Sequence, residues 1–385
     1  MSLVLTGHND RVSSRPFGFY VHVPFCATRC GYCDFNTYTA QELGTGAGRA
    51  TYADTVIGEI RWARRQVDGE RPVATVFVGG GTPTLLDAED LVRVLGVIRE
   101  EFGLVPDAEV TTEANPDSVS PAMLAELRAG GFTRVSFGVQ SLAPHVLDVL
   151  ERTHTPGRAL EAIAQARDAG FAHISADLIY ATPGETDADL RRSVGGVLDA
   201  GVDHLSAYSL IVEDGTRLAA RVRRGEVPAP DDDVAADRYR IIDEMTSAAG
   251  LEWYEVSNWA RPGSECRHNL GYWTDADWWG AGPGAHGHLD GRRWWNLKHP
   301  AAYARALAEG QPPVAGEEAV DDEGRLLEQV MLGVRIRAGI PRAGLPDDAV
   351  AELTSEGLVV VAGDRVVLTS GGRLLADAVV RRLTP

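Results

Sequence analysis

Residues 19–33 read Phe-Tyr-Val-His-Val-Pro-Phe-Cys-Ala-Thr-Arg-Cys-Gly-Tyr-Cys, an apolar run from Phe19 to Phe25 that empties into Cys26, Cys30 and Cys33. The run has the length and β-branched content of a strand, so the cysteines fall on the loop that leaves it. Three thiolates are one fewer than a cubane iron–sulfur cluster usually takes. A 4Fe–4S cluster held by this trio keeps one iron open to a chelating small molecule. The competing reading is structural zinc, completed by the fourth cysteine, Cys266, with help from His268. Structural zinc favours two cysteine pairs, and here the second half would be a single thiol.

Outward from that loop the first half of the chain repeats one theme. A short β-branched run is followed by a loop rich in Gly, Pro or polar residues, then by an amphipathic stretch. The predicted strands are Phe19–Val23, Val73–Val78, Glu109–Thr112, Arg134–Val139, His173–Ile179 and His204–Ile211. Helical patterns separate them, as in successive βα units of a parallel sheet. One such helix is Pro121–Ala129, with Ser120 as N-cap and Gly130-Gly131 at its end. Six units predict an α/β fold, a curved partial (βα)6 barrel, whose chemistry belongs in the loops beyond the strands' C-terminal ends. The unusual residues do fall there: the cysteine loop, Gly79-Gly80-Gly81-Thr82-Pro83, Glu113-Ala114-Asn115-Pro116, Gly138-Val139-Gln140-Ser141, and Asp177-Leu178-Ile179-Tyr180.

After Ile211 the pattern changes. Glu226 to Asp233 reads as an exposed connector and Val234–Ala249 as a helix. Seven of the 8 tryptophans lie between Trp253 and Trp295. From about Asp321 the order is helix, helix, hairpin, with Leu358–Val361 and Val366–Leu368 turning at Ala362-Gly363-Asp364; this resembles a winged-helix module. The expected division is a barrel over residues 1–225, an aromatic and Gly-rich extension packing on it over 226–310, and a smaller winged-helix-like α+β module over 311–385.

Composition narrows the function. Lys plus Arg number 37 against 55 Asp plus Glu, a net charge of −18. Such a surface repels phosphate backbones, so the C-terminal module is expected to pack or meet a protein partner rather than read DNA. No apolar run approaches a membrane span, and the leader, with His8, Asp10, Arg11 and Arg15, lacks the apolar core of a signal peptide. Only 4 cysteines, three of them clustered, fit a reducing cytoplasm better than a disulfide framework.

The C-x3-C-x2-C loop resembles that of radical S-adenosylmethionine (SAM) proteins, in which the amino acid end of SAM chelates the open iron. Gly79 to Gly81 then suit close backbone approach to a ligand, against the plain alternative of a strand–helix turn. Glu113, Gln140, Arg152 and Asp177 surround the same mouth. Each has an ordinary reading as a solvated or paired side chain, and Arg152 could pair with Asp177. Tyr32 could stack on adenine or simply pack its loop.

Taken together, Tyr20-Val21-His22-Val23-Pro24-Phe25-Cys26, the cysteine loop, GGGTP, E-x-N-P, GVQS and D-L-I-Y resemble the oxygen-independent coproporphyrinogen III dehydrogenase family, and within it the HemW-type heme chaperone branch. The resemblance covers nearly the whole chain from Phe17. It implies Cys26, Cys30 and Cys33 as cluster ligands. It implies Tyr20, Tyr32, Gly80, Gly81, Thr82, Glu113, Gln140, Arg152, Asp177 and Ile211 as SAM contacts. The dehydrogenases carry a further cysteine two positions after the third, where this chain has Phe35, and a longer N-terminal segment. His268-Asn269-Leu270-Gly271-Tyr272-Trp273 is similar to the H-N-x-x-Y-W motif of the chaperones. The implied partners are heme and a heme-accepting apoprotein, with a homodimer as a further expectation; porphyrinogen decarboxylation is the alternative. Heme iron takes His, Cys, Met or Tyr ligands and its flat ring favours an aromatic surface, which makes Cys266, His268, Tyr272 and Trp273 the candidates on the heme side, followed by His286 and His288. The ordinary readings are a hydrogen-bonded brace for His268 and a buried thiol for Cys266.

Overall fold

The computed structural model describes residues 15–43 and 48–384, so most of the polar leader, His8, Asp10 and Arg11 included, lies outside the described residues. Twelve strands form one sheet. Six parallel strands carry the barrel: β1 (Phe17–Val23), β2 (Val73–Gly80), β3 (Leu104–Ala114), β4 (Arg134–Gln140), β5 (His173–Tyr180) and β6 (His204–Ser209). The extension then supplies both edges. β7 (Glu252–Glu255) and β8 (Asn258–Ala260) add antiparallel beyond β6. On the other edge β9 (Asp277–Ala281) pairs with β1 as a seventh parallel strand, followed by antiparallel β10 (His286–Leu289), β11 (Arg292–Asn296) and β12 (Val314–Ala319). The aromatic region therefore builds the sheet itself, and its Trp259, Trp279 and Trp294 belong to the same core.

The period-two alternation of strands sorts side chains between two faces. Phe17, Phe19, Val21 and Val23 pack outward against the helices; Phe19 meets Phe102 of helix Ala88–Phe102 at a centroid distance of 4.9 Å. Gly18, Tyr20 and His22 face the concave side. Register carries that face across the barrel: Tyr20 lies opposite Phe77, Phe77 opposite Thr111, Glu113 opposite Ser136, Gly138 opposite Asp177.

Local signals set the helices. Helix Pro121–Gly130 starts where the Ser120 hydroxyl accepts from the Met123 amide and stops at left-handed Gly131. Helix Asp187–Asp199 opens on a full capping box of Thr186 and Asp189. The tail has its own core, Val334, Val350, Leu353, Val366 and Val379 among others. Helices Asp322–Gly333 and Asp347–Ser355 precede the hairpin of β14 (Val359–Ala362) and β15 (Arg365–Leu368), with β13 (Ile340–Pro341) on the other side of β15, a winged-helix-like arrangement.

Candidate functional site

The two ends of the barrel differ. At the C-terminal mouth the cysteine loop is sewn down by backbone bonds: Cys26 N–H to Tyr38 O (3.0 Å), Gly31 N–H to Leu150 O (3.0 Å), and Leu218 N–H to Gly31 O (2.8 Å). The three thiols are half-buried and unpaired by disulfides. Burial pushes the Cys26 thiol up to about 11, with Cys33 and Cys30 adding to it, while Thr37 and Thr82 oppose by hydrogen bonding. Burial raises Cys33 as well. Packed thiols that raise one another want a positive partner, which a bound metal supplies. Among the described residues no three His, Cys, Asp or Glu side chains converge closely enough for one ion. Zinc needs all its sulfurs about 2.3 Å from a single centre, whereas in a cubane each thiolate takes a different iron corner.

The glycine loop after β2 crowds against this one. Gly81 donates to Val23 O at 2.8 Å, and a Cβ on it would fall 2.5 Å from Phe25 O and 3.1 Å from the Cys26 sulfur. Gly80 has φ +110, where an L side chain is strained, and its N–H donates to Glu113 Oε2 at 2.9 Å. Thr82 is buried and its amide donates to Phe25 O. Burial, then the charge of Asp177, pushes Glu113 up to about 8. Asp177 is likewise raised by burial to about 6, although the Ser136 hydroxyl lies 3.1 Å from both its oxygens. Two buried carboxyls that resist ionisation thus share this mouth.

Arg152 does not ion-pair directly with Asp177. It donates to Gly138 O at 2.8 Å and approaches the Cys30 sulfur at 3.6 Å, and its Nε is buried without a partner. Gln140 ends β4 in the left-handed region (φ 64), as does Ala181 after β5 (φ 61), strain that concentrates at functional rims. His22 donates from Nε2 to Asn36 O, so its Nδ1 accepts from Tyr20 OH at 2.9 Å. Tyr20 is held neutral by burial and by Glu113. Tyr32 packs on the small apolar cluster of Val146, Ile179, Leu210 and Leu218. Ile211, just past β6, is 63% exposed.

Cys266, His268, Tyr272 and Trp273 lie elsewhere. Helix Arg267–Trp273 closes the opposite, N-terminal end of the barrel. The Glu109 carboxylate accepts from the Arg267 amide (3.1 Å), the His268 amide (3.0 Å) and the Cys266 thiol (3.5 Å), and pairs with buried Arg134 at 3.4 Å. His268 shares Nδ1 with Thr75 Oγ1 (2.8 Å) and Nε2 with Tyr272 OH (2.9 Å), stacked on Phe77. Both ring nitrogens and the thiol are committed, and Trp273 is half-buried beside them. In this arrangement Cys266, His268 and Tyr272 brace the barrel floor. Iron ligation by His268 or Cys266 requires the helix to leave that floor, because neither has a free lone pair facing an open surface. Zinc fails for the same reason: Cys266 sits at the wrong end of the barrel.

Sequence reading passed over Thr37, Ser136 and Asn36, ordinary residue types whose roles depend on strands and loops distant in the chain. The radical SAM superfamily profile matches residues 20–195. The heme chaperone HemW of Mycobacterium tuberculosis is 56% identical over 372 residues, covering 96% of this chain and 95% of its relative. The chain belongs to the HemW heme chaperone family. Its Bacillus subtilis counterpart is 33% identical over 94% of this chain and 97% of that one. The structure of the radical SAM coproporphyrinogen III oxidase HemN from Escherichia coli superposes with a TM-score of 0.82 at 23% identity, covering 96% and 90% of the two chains, a likeness of fold. As a radical SAM protein of this family, the chain takes a 4Fe–4S cluster and SAM as cofactors.

Proposed function

We propose that this member of the HemW family binds heme and hands it to an acceptor protein, with a cluster on Cys26, Cys30 and Cys33 and SAM across the mouth. The match over nearly the full length to a protein named heme chaperone carries this reading. Phe35, 57% exposed where the dehydrogenases place a cysteine, supports it. Gly80, Gly81 and Thr82 would lie against SAM, Glu113 and Asp177 would meet its cationic groups, and Arg152, Gln140 and Tyr20 would orient the rest, with Tyr32 and Ile211 at the rim. When bound, the cluster and SAM supply one-electron chemistry. The protein's own part is to hold two carboxyls poised to ionise and to exclude water beneath them.

Among the described residues no helix is long and apolar enough to cross a membrane, and the charge of −18 disfavours nucleic acid. The clustered, unpaired cysteines favour a reducing cytoplasm, where we propose that the protein works as a homodimer. The test is anaerobic: hemin added to purified protein, then an apo-hemoprotein of known spectrum. Heme absorption should appear on this chain and move to the acceptor; no Soret shift on adding hemin refutes the proposal. The fold shared with HemN supports one rival. If incubation with coproporphyrinogen III, SAM and a reductant yields decarboxylated product, the dehydrogenase reading replaces this one.

A further inference from the structure

With His268 and Cys266 committed to the floor, the concave sheet offers another imidazole. Register places Tyr20 opposite Gly280, His288 opposite Trp278, and His286 opposite Trp295, so His286 and Trp295 share the face that Tyr20 presents inside the barrel. His286 begins β10 at the mouth end, because β9 runs parallel to β1 and β10 returns. It is exposed, and neither ring nitrogen hydrogen-bonds to another described residue. The histidines on the neighbouring strands β1 and β10 are occupied. His22 is bonded at both nitrogens, and buried His288 is bonded through Nδ1 to Ala276 O at 3.0 Å. Trp295 lies nearly parallel to the His286 ring, 6.0 Å and 28° away, which fixes the imidazole plane.

The surroundings fit a flat, dianionic, metal-bearing ring. Lys298, the only lysine in the 385 residues, is exposed and close enough for its charge to act on His286. Its carbonyl accepts from Asn36 Nδ2 (2.9 Å) and Tyr38 OH (3.3 Å). That clamp places the region beside the flank of the cysteine loop, where the neighbouring Phe35 leaves its ring in the open. Partial burial, then the Lys298 charge, lowers the His286 pKa against the opposing Glu318 carboxylate, favouring the neutral imidazole that ligates iron.

We infer that heme docks on the concave face of β10 and β11 at the barrel mouth, with His286 as an axial ligand to iron and Lys298 meeting a propionate. This rests on the heme-chaperone reading and adds the site. The test uses the full cluster-loaded chain titrated with hemin. His286→Ala should weaken binding at least about tenfold, as loss of a metal-site partner does, and shift the Soret band. His286→Cys should restore binding with a thiolate-type spectrum, which only a residue at the iron can produce. Because Lys298 is the sole lysine, an amine acylating reagent reports on it and the chain terminus alone; hemin should slow acylation at Lys298 in the unaltered protein and not in His286→Ala. Unchanged affinity and spectrum in both His286 variants overturns the site and leaves heme carriage standing. If the unaltered protein binds no hemin, heme carriage falls and the site falls with it.

Discussion

Glu113 offers the most exacting check on the mouth. Its carboxyl titrates at about 8 because burial and Asp177 both oppose its charge. At pH 7 only about a tenth is ionised, and completing the ionisation costs about 1.4 kcal/mol, one pKa unit. A cation bound against it needs the carboxylate, so binding expels that proton. The direction follows. Affinity for SAM rises with pH, by about tenfold per unit between roughly 6 and 8, and levels above that range as the free site ionises by itself. Below about 6 the Asp177 proton steepens the slope further. SAM carries an amino group that also titrates and loses its proton on chelating iron, so the decisive quantity is a difference. Glu113→Gln keeps an oxygen for the Gly80 amide and removes the titration. Calorimetry at pH 7 in two buffers of different ionisation enthalpy should show the variant releasing close to one proton fewer per SAM bound, with a flatter pH profile between 6 and 8. Equal proton release in the two proteins refutes a Glu113 that faces the cationic part of SAM.

Other expectations address the cluster, the floor and a buried acid. Replacing Cys26, Cys30 or Cys33 by Ala should abolish the iron and acid-labile sulfide of anaerobically prepared protein, while Cys266→Ala, at the floor, should leave both at the unaltered level. Glu109→Ala strands the buried Arg134 charge and uncaps the floor helix; urea unfolding should show a loss of about 3–5 kcal/mol, and a loss below 1 kcal/mol would deny the floor its structural role. Glu59, on helix Arg49–Arg64, accepts from the Gly282 amide, Asn296 and Tyr303, yet burial holds it up at about 7 against an ordinary 4.5. The folded state thus binds this proton more tightly than the unfolded one, so stability should fall by about 3 kcal/mol as pH rises from roughly 4.5 to 7. Glu59→Gln should remove that part of the pH dependence in denaturant titrations.

The mouth was legible in the sequence because a parallel βα barrel has a rule: what leaves the C-terminal end of a strand arrives at one rim. Cys26, Gly80, Glu113, Gln140 and Asp177 each obey it without knowledge of any contact. Arg152 obeys it less well. Proximity to the rim brought it near Asp177, but its hydrogen bonds depend on where Leu150 and Glu151 turn, and they run to Gly138 and toward Cys30 instead. β9 was illegible for another reason. Asp-Trp-Trp-Gly-Ala has no β-branched residue, and it becomes a strand by pairing with β1, which lies some 260 positions earlier; local periodicity carries no trace of such a partner. The same blindness governs the H-N-x-x-Y-W segment. In the sequence it sits between Trp259 and Trp278 and invites a heme ligand. In the fold it returns to the end of the barrel where strands begin, and there it meets Glu109 of β3, level with Thr75 of β2, and Arg134 at the start of β4, polar residues turned inward. A barrel with a polar interior must satisfy those groups at its floor, and a helix bringing two amides, a thiol and an imidazole does so. That demand draws His268 away from solvent, and it leaves the imidazole open to a large flat ligand to come from β10, the strand that starts back from the mouth.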